Sequence, residues 1–194
     1  MKQELEIELK NLVTIDEFKQ LLTHFKLPSS SFVEQTNYYF DTEDFRLKGL
    51  GCALRIRKKK DEYTFTLKQP EGDGLLESHE SLNDEDALNY ISGHLTDKSE
   101  MVNLIKSNFN IDPSSLLFLG SLKTTRAETC FKSGLLVFDH SEYLGHEDFE
   151  IEFEVPDFLQ GRNEFEQLFA QFSIPIRETP NKIRRFFRVK NMKK

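Results

Sequence analysis

The stretch Glu4-Leu5-Glu6-Ile7-Glu8-Leu9-Lys10 alternates strictly between charged and apolar residues. A period of two is strand geometry, so Glu4, Glu6, Glu8 and Lys10 stand in one row while Leu5, Ile7 and Leu9 occupy the other face. The pattern returns late in the chain, where Glu150, Glu152 and Glu154 share one face and Phe149, Ile151, Phe153 and Val155 the other. Two more strands follow the same scheme. Arg55 and Arg57 oppose Leu54 and Ile56, and Thr64, Thr66 and Lys68 oppose Tyr63, Phe65 and Leu67. An ordinary sandwich turns such apolar faces inward and leaves the charges in water.

The helices argue for the opposite arrangement. Thr14 and Glu17 have capping-box spacing ahead of Ile15, Phe18, Leu21, Leu22 and Phe25, which recur at helical period. Residues 84–94 carry a stripe of Leu88, Ile91 and Leu95, and residues 100–108 one of Met101, Leu104, Ile105 and Phe109. A further helix is expected from Asn163, with Phe165, Leu168, Phe169 and Phe172 as its apolar face. Thr179-Pro180 has the N-cap and N1 pattern of a last helix, in which Ile183, Phe186 and Phe187 pack and Arg185 and Arg188 are solvated. The natural surface for apolar helix stripes is the outside of a sheet. Remaining strands are expected at 32–41, 75–82, 116–131 and 135–141, the last two joined by a turn at Ser133-Gly134.

If the strands close into a barrel, the helices cover its apolar exterior and the charges line a wet interior. Like charges brought together in that way need balancing partners. The signs supply them: Glu4, Glu6, Glu8, Asp139, Glu150, Glu152 and Glu154 against Lys10, Arg55, Arg57, Lys68, Lys123, Arg126, Lys182 and Arg184. Carboxylates in such rows suit hard cations such as Mg²⁺ and Mn²⁺, and the basic groups suit phosphate oxygens, so the combination points to a metal–polyphosphate ligand. The five histidines form no zinc spacing, and there is no Gly-rich phosphate loop.

Length, charge and cysteine content narrow the class. The 194 residues fit one well-buried domain, and the net charge of −7 argues against general attraction to nucleic acid or anionic membrane. Two cysteines, Cys52 and Cys130, read as small packing residues within strands. With no secretory leader and no apolar run near the ~20 residues of a membrane span, a soluble cytosolic protein is expected.

These residues resemble the CYTH superfamily, also called triphosphate tunnel metalloenzymes, which includes thiamine triphosphatases, inorganic triphosphatases and class IV adenylate cyclases. The Glu-x-Glu-x-Lys signature matches Glu6-Ile7-Glu8-Leu9-Lys10. In the family's order there follow Arg55 and Arg57, Lys68, Arg126, Asp139, the Glu-x-Glu strand within Glu150 to Glu154, and a late lysine, Lys182. Coverage of nearly the whole chain is similar to a small single-domain bacterial member, residues 1–194. The resemblance implies an α+β fold: an eight-stranded antiparallel closed β-barrel, or tunnel, with helices packed on its outside.

It further implies a divalent-metal-dependent triphosphatase that releases the terminal phosphate of inorganic triphosphate, thiamine triphosphate or a nucleoside triphosphate, acting as a monomer or homodimer. Glu4, Glu6, Glu8, Asp139, Glu150, Glu152 and Glu154 are the implied metal set, with two of the last three forming the family pair. Lys10, Arg55, Arg57, Lys68, Arg126 and Lys182 are the implied phosphate ligands, and Glu6, Glu8, Lys10 and Lys182 the catalytic residues. An adenylate cyclase and a non-catalytic polyphosphate-binding module are the alternatives. One departure stands out: many relatives carry an arginine before a glutamate after the Lys68 strand, whereas Glu77-Ser78-His79-Glu80 has none, which leaves the role of Glu80 open.

Overall fold

The computed structural model describes residues 1–96 and 98–192. Among these, nine strands and six α-helices form two compact units, each assembled from separated stretches of chain: Met1–Leu5 with Gln35–Ser121, and Glu6–Glu34 with Leu122–Lys194. The opening strand is divided into β1 (Lys2–Glu6) and β2 (Glu8–Val13), which makes nine strands where eight were expected. No described helix is long and apolar enough to cross a membrane.

The first unit is an antiparallel sheet in the order β1-β6-β5-β4-β3, with β3 at Val33–Thr42, β4 at Ala53–Lys59, β5 at Glu62–Glu71 and β6 at Gly74–Leu82. A short helix, α2 (Arg46–Gly49), precedes β4. Helices α3 (Asp84–Ile91) and α4 (Glu100–Phe109) supply Ala87, Tyr90, Met101, Val102 and Ile105 to a core with Phe40, Leu54, Ile56, Phe65 and Leu67. Each of these large side chains contributes about 1.5–3 kcal/mol on burial. Of the expected α3 stripe, Ile91 and Leu95 pack against this core, but Leu88 is 55% exposed and its place is taken by Ala87 and Tyr90, which are buried.

Glu80 has a structural explanation. It lies on the helix side of β6, where its carboxylate accepts from the Ser99 hydroxyl (2.6 Å) and the Met101 N–H (2.8 Å). It therefore satisfies N–H and O–H groups that the first turn of α4 leaves unpaired.

In the second unit the order is β7-β8-β9-β2, with β7 at Leu116–Phe131 (the part after Ser121), β8 at Gly134–Tyr143 and β9 at His146–Glu154. Helix α1 (Ile15–His24) carries the expected capping box between Thr14 and Glu17. Helix α5 (Phe158–Gln171) starts five residues before the expected Asn163, because the Asp157 side chain caps it by accepting from the Gln160 N–H at 2.7 Å. A Cβ at Gly161 would fall 2.6–2.9 Å from the Val155 side chain, so α5 packs closer to β9's end than any larger residue permits. Phe18, Leu21, Phe165, Leu168 and Phe169 from α1 and α5 bury the face formed by Phe138, Ile151 and Phe153.

Helix α6 spans Lys182–Met192. Its cap is Asn181, whose side chain accepts from the Arg184 N–H (3.1 Å), rather than Thr179. The Thr179 hydroxyl instead accepts from the Leu12 N–H at 2.8 Å, and Asn11 bonds Pro175 and Arg177, which fastens the segment ahead of α6 to β2. Phe186 and Phe187 are buried as expected, but so is Arg185, at 6% exposure. Of the cysteines, Cys52 is buried, which pushes its thiol up to about 11, while Cys130 is exposed and does not pack.

Both units share one design. Helices cover the apolar face of the sheet, and the alternating pattern leaves the opposite face charged.

Candidate metal and phosphate site

In the second unit, β9 presents Asp148, Glu150, Glu152 and Glu154 in one row, and β8 adds Asp139 directly opposite Glu150. On β2, Glu8 stands opposite Glu154 and Lys10 opposite Glu152. Arg126, on β7, is opposite Asp139. Most of the residues expected to carry chemistry are thus brought onto one face by strand register alone.

The cations are threaded between the carboxylates. Arg185 donates to Asp148 (2.8 and 3.2 Å) and to Glu150 (3.1 and 2.9 Å). Lys182, one helical turn earlier, reaches Glu150 and Glu152 at 2.5 Å and Asp139 at 2.8 Å. Arg126 forks onto Asp139 (2.7 and 2.6 Å) and also donates to Glu152 at 2.7 Å. Asp139, Glu150 and Glu152 are buried, and their oxygens lie within 4.8 Å of one another. That spacing would suit a metal ion, but the ammonium of Lys182 already sits among the three.

Electrostatics follow this order. Burial alone would raise the Glu152 carboxyl, but the charges of Lys182, Arg126 and Lys10 hold it well below the usual range. Burial likewise opposes the charge on Lys182, and Asp139, Glu150 and Glu152 overcome it, keeping the ammonium protonated. The ladder then runs out of cations. Glu154 has its Arg126 partner only at 4.0 Å, and Glu8, which Lys10 also contacts, stands directly across from it. Burial first, and then the charge of Glu6, push the Glu154 carboxyl up to about 7, with Glu152 and Glu8 adding to the effect. Like charges directly opposite on paired strands are unfavourable.

The charged face of the first unit is basic. Arg55, Thr66 and His79 lie in register across β4, β5 and β6, as do Arg57 and Thr64 across β4 and β5. Arg57 donates to the Asn37 side chain at 3.1 Å, and Lys68 pairs with the buried Glu77. The Nε of Arg55 is buried and has no hydrogen-bond acceptor among the described residues. Glu4 lies in this unit, half exposed, paired with Lys2 and 3.3 Å from His79, whose other ring nitrogen meets the Thr66 hydroxyl at 3.0 Å. Lys123 and Arg184, balancing charges in the sequence, are peripheral: Lys123 pairs with the exposed Glu34, and Arg184 is exposed.

Sequence reasoning missed Asp148, Arg185 and Glu77. Asp148 was legible as the next even position of the Glu150 row; Arg185 shares the helix face of Lys182, three residues away, but no local pattern shows that this face meets the β9 carboxylates.

A family model for the CYTH domain matches residues 4–187. The chain belongs to the CYTH domain family. It is 45% identical over 190 residues, 98% of each chain, to the Bacillus subtilis (strain 168) protein named "Putative triphosphatase YjbK". The crystal structure of a "putative adenylate cyclase" from Bacillus halodurans matches with a TM-score of 0.91 at 41% identity, covering 96% of this chain and 100% of that one. A Hippeastrum protein, "Putative adenylyl cyclase HpAC1", described as showing a dominant triphosphatase activity, matches at 22% identity with a TM-score of 0.77, covering 94% of each chain; at that identity it supports the fold alone. CYTH membership and the α+β antiparallel architecture therefore stand as expected, within a family that spans triphosphatase and adenylate cyclase-like proteins.

Proposed function

We propose that this protein is a cytosolic, divalent-metal-dependent triphosphatase and that residues 1–194 are a single CYTH-like triphosphate domain. The observation that carries the reading is the unbalanced end of the carboxylate ladder: Glu8 is set directly opposite Glu154, and the Arg126 guanidinium reaches Glu154 only at 4.0 Å. Oxygen donors in excess of positive charge are the donor set Mg²⁺ and Mn²⁺ take. Glu6, Glu8 and Glu154 would hold the ion. Glu152 and Glu154 are then the family pair, Glu154 on the ion and Glu152 on Lys182 and Arg126, while Glu150 is committed to Lys182 and Arg185. When bound, the ion supplies Lewis acidity toward phosphate oxygens and neutralises their charge.

The remaining roles belong to the chain's own cations. Lys10, Arg126 and Lys182 would meet phosphate oxygens, a role supported by the carboxylate partners that fix their directions. In the first unit Arg55, Arg57 and Lys68 are assigned to phosphates on the same reading, and the acceptor that the buried Nε of Arg55 lacks is one that a phosphate would provide. Glu4, paired with Lys2 and beside His79, is not assigned to the metal.

The test is a product assay on inorganic triphosphate, thiamine triphosphate and ATP with Mg²⁺ and with Mn²⁺. Metal-dependent release of the terminal phosphate is expected. Pyrophosphate with cyclic AMP would replace this reading with the cyclase, and tight binding without turnover would replace it with a binding module.

A further inference from the structure

We propose that Arg185 is a positioning residue, which sets where the Lys182 ammonium stands among Asp139, Glu150 and Glu152. The inference rests on the proposed role of Lys182 for its kinetic consequence, but not for its geometry. Arg185 and Lys182 are three residues apart near the start of α6, so both project from the same side of the helix. Arg185 grips Asp148 and Glu150 through two pairs of N–H groups, and its Nη1 also donates to the Pro180 carbonyl at 2.7 Å. It thereby ties β9 to Pro180, which precedes the cap residue Asn181. Glu150 is shared: one oxygen receives both Arg185 Nη2 (2.9 Å) and the Lys182 ammonium (2.5 Å).

This geometry has a purpose that simple charge balance does not explain. A lysine ammonium is a point charge on a flexible stem, whereas a guanidinium fork fixes direction as well as distance. Lys182 alone could slide among three acidic partners. With the fork locked across Asp148 and Glu150, the first turn of α6 has one register along β9, and the lysine has one reach. Phe186 is buried 6.2 Å from the Tyr143 ring, whose hydroxyl donates to Asp148 at 2.7 Å, so the carboxylate that Arg185 grips is itself held in place.

The test uses the full chain with Arg185→Lys, which keeps a charge but loses the fork, Arg185→Met, and Asp148→Asn, which loosens Arg185 without touching the carboxylates around Lys182. The first readout does not depend on activity: trace acylation with an amine-reactive reagent, followed by peptide mass spectrometry with exposed Lys19 as internal reference. In wild type Lys182 is shielded; in the Arg185 variants its labelling rises about tenfold while Lys19 is unchanged, and Asp148→Asn gives a smaller rise in the same direction. The second readout is a double-mutant cycle on triphosphate hydrolysis. Arg185→Lys lowers kcat by about tenfold to a hundredfold with a smaller change in KM, and in a Lys182→Ala background it costs nothing further. Unaltered Lys182 labelling in variants that still melt cooperatively would overturn the proposal, as would losses that add fully. Should Arg185 variants fail to fold, Asp148→Asn alone decides it by the same two measures. A wild type that hydrolyses no triphosphate would refute the proposed function, while the labelling result would still decide the role of Arg185.

Discussion

The charged faces of the two units are built from the same strand alternation but reach different electrostatic states. In the second unit Asp148, Glu150, Glu152 and Asp139 are bridged by Arg185, Lys182 and Arg126, whereas Glu154 faces Glu8 and meets Arg126 only at 4.0 Å. The first unit presents Arg55 and Arg57 on one strand and Lys68, paired with Glu77, on the next, and the buried Nε of Arg55 has no acceptor among the described residues. The comparison teaches that pairing density, rather than the count of acidic or basic residues, is what separates the two faces. The tight carboxylate trio is already filled by an ammonium, which is why the proposed function assigns the cation to Glu154 and an anion to Arg55.

Breaking the matched part has the largest expected effect. Asp139→Asn leaves Lys182 and Arg126 short of a buried partner and should cost about 3–5 kcal/mol, read as a fall in the urea midpoint. Unchanged stability would mean that the ladder is not balanced as described. Breaking the basic side is milder: Arg55→Ala should raise the KM for triphosphate by about tenfold to a hundredfold with little change in melting temperature, because no internal hydrogen bond to its Nε is lost. An equal KM would mean that the free donor has no ligand.

The unbalanced end should show in the pH dependence. Folding holds the Glu154 proton up to about 7 against an ordinary 4.5. The folded state therefore binds that proton more tightly than the unfolded chain. The group's contribution to stability declines as pH rises from about 4.5 to about 7, and its full cost remains above that range. In the presence of chelator, Glu154→Gln should be more stable than wild type at pH 8 and show no such gain at pH 4.5, measured by urea titration at each pH. The smallest effect is Glu80→Ala, which leaves the N-cap Ser99 in place but removes the acceptor of its hydroxyl and of the Met101 N–H, and should cost about 1 kcal/mol of stability while leaving kcat/KM unchanged. Loss of activity there at full stability would return Glu80 to the site.

Much of this was legible in the sequence because a period of two fixes which residues share a face, and register then decides which faces meet. Glu8 opposite Glu154 and Arg126 opposite Asp139 are consequences of that rule. What stayed hidden depended on where helices start and how they turn. Asn181 rather than Thr179 caps α6, since the Thr179 hydroxyl is taken by Leu12, and this places Arg185 on the carboxylates instead of in water. A buried arginine needs several acceptors at once, and no local pattern announces that β9 will supply them. The division of the opening strand at Ile7 was hidden for the same reason, as it depends on the Val155 N–H bonding the Ile7 carbonyl at 2.9 Å.

The central claim is that the resident ion belongs with Glu154 and not with the trio that Lys182 fills. Calorimetric titration with Mn²⁺ of wild type, Glu154→Gln and Glu150→Gln tests it directly, without substrate. The account predicts that Glu154→Gln weakens Mn²⁺ binding by about a hundredfold or more, while Glu150→Gln, folded by its melting curve, stays within about threefold of wild type. Mn²⁺ affinity lost in Glu150→Gln and kept in Glu154→Gln would contradict it.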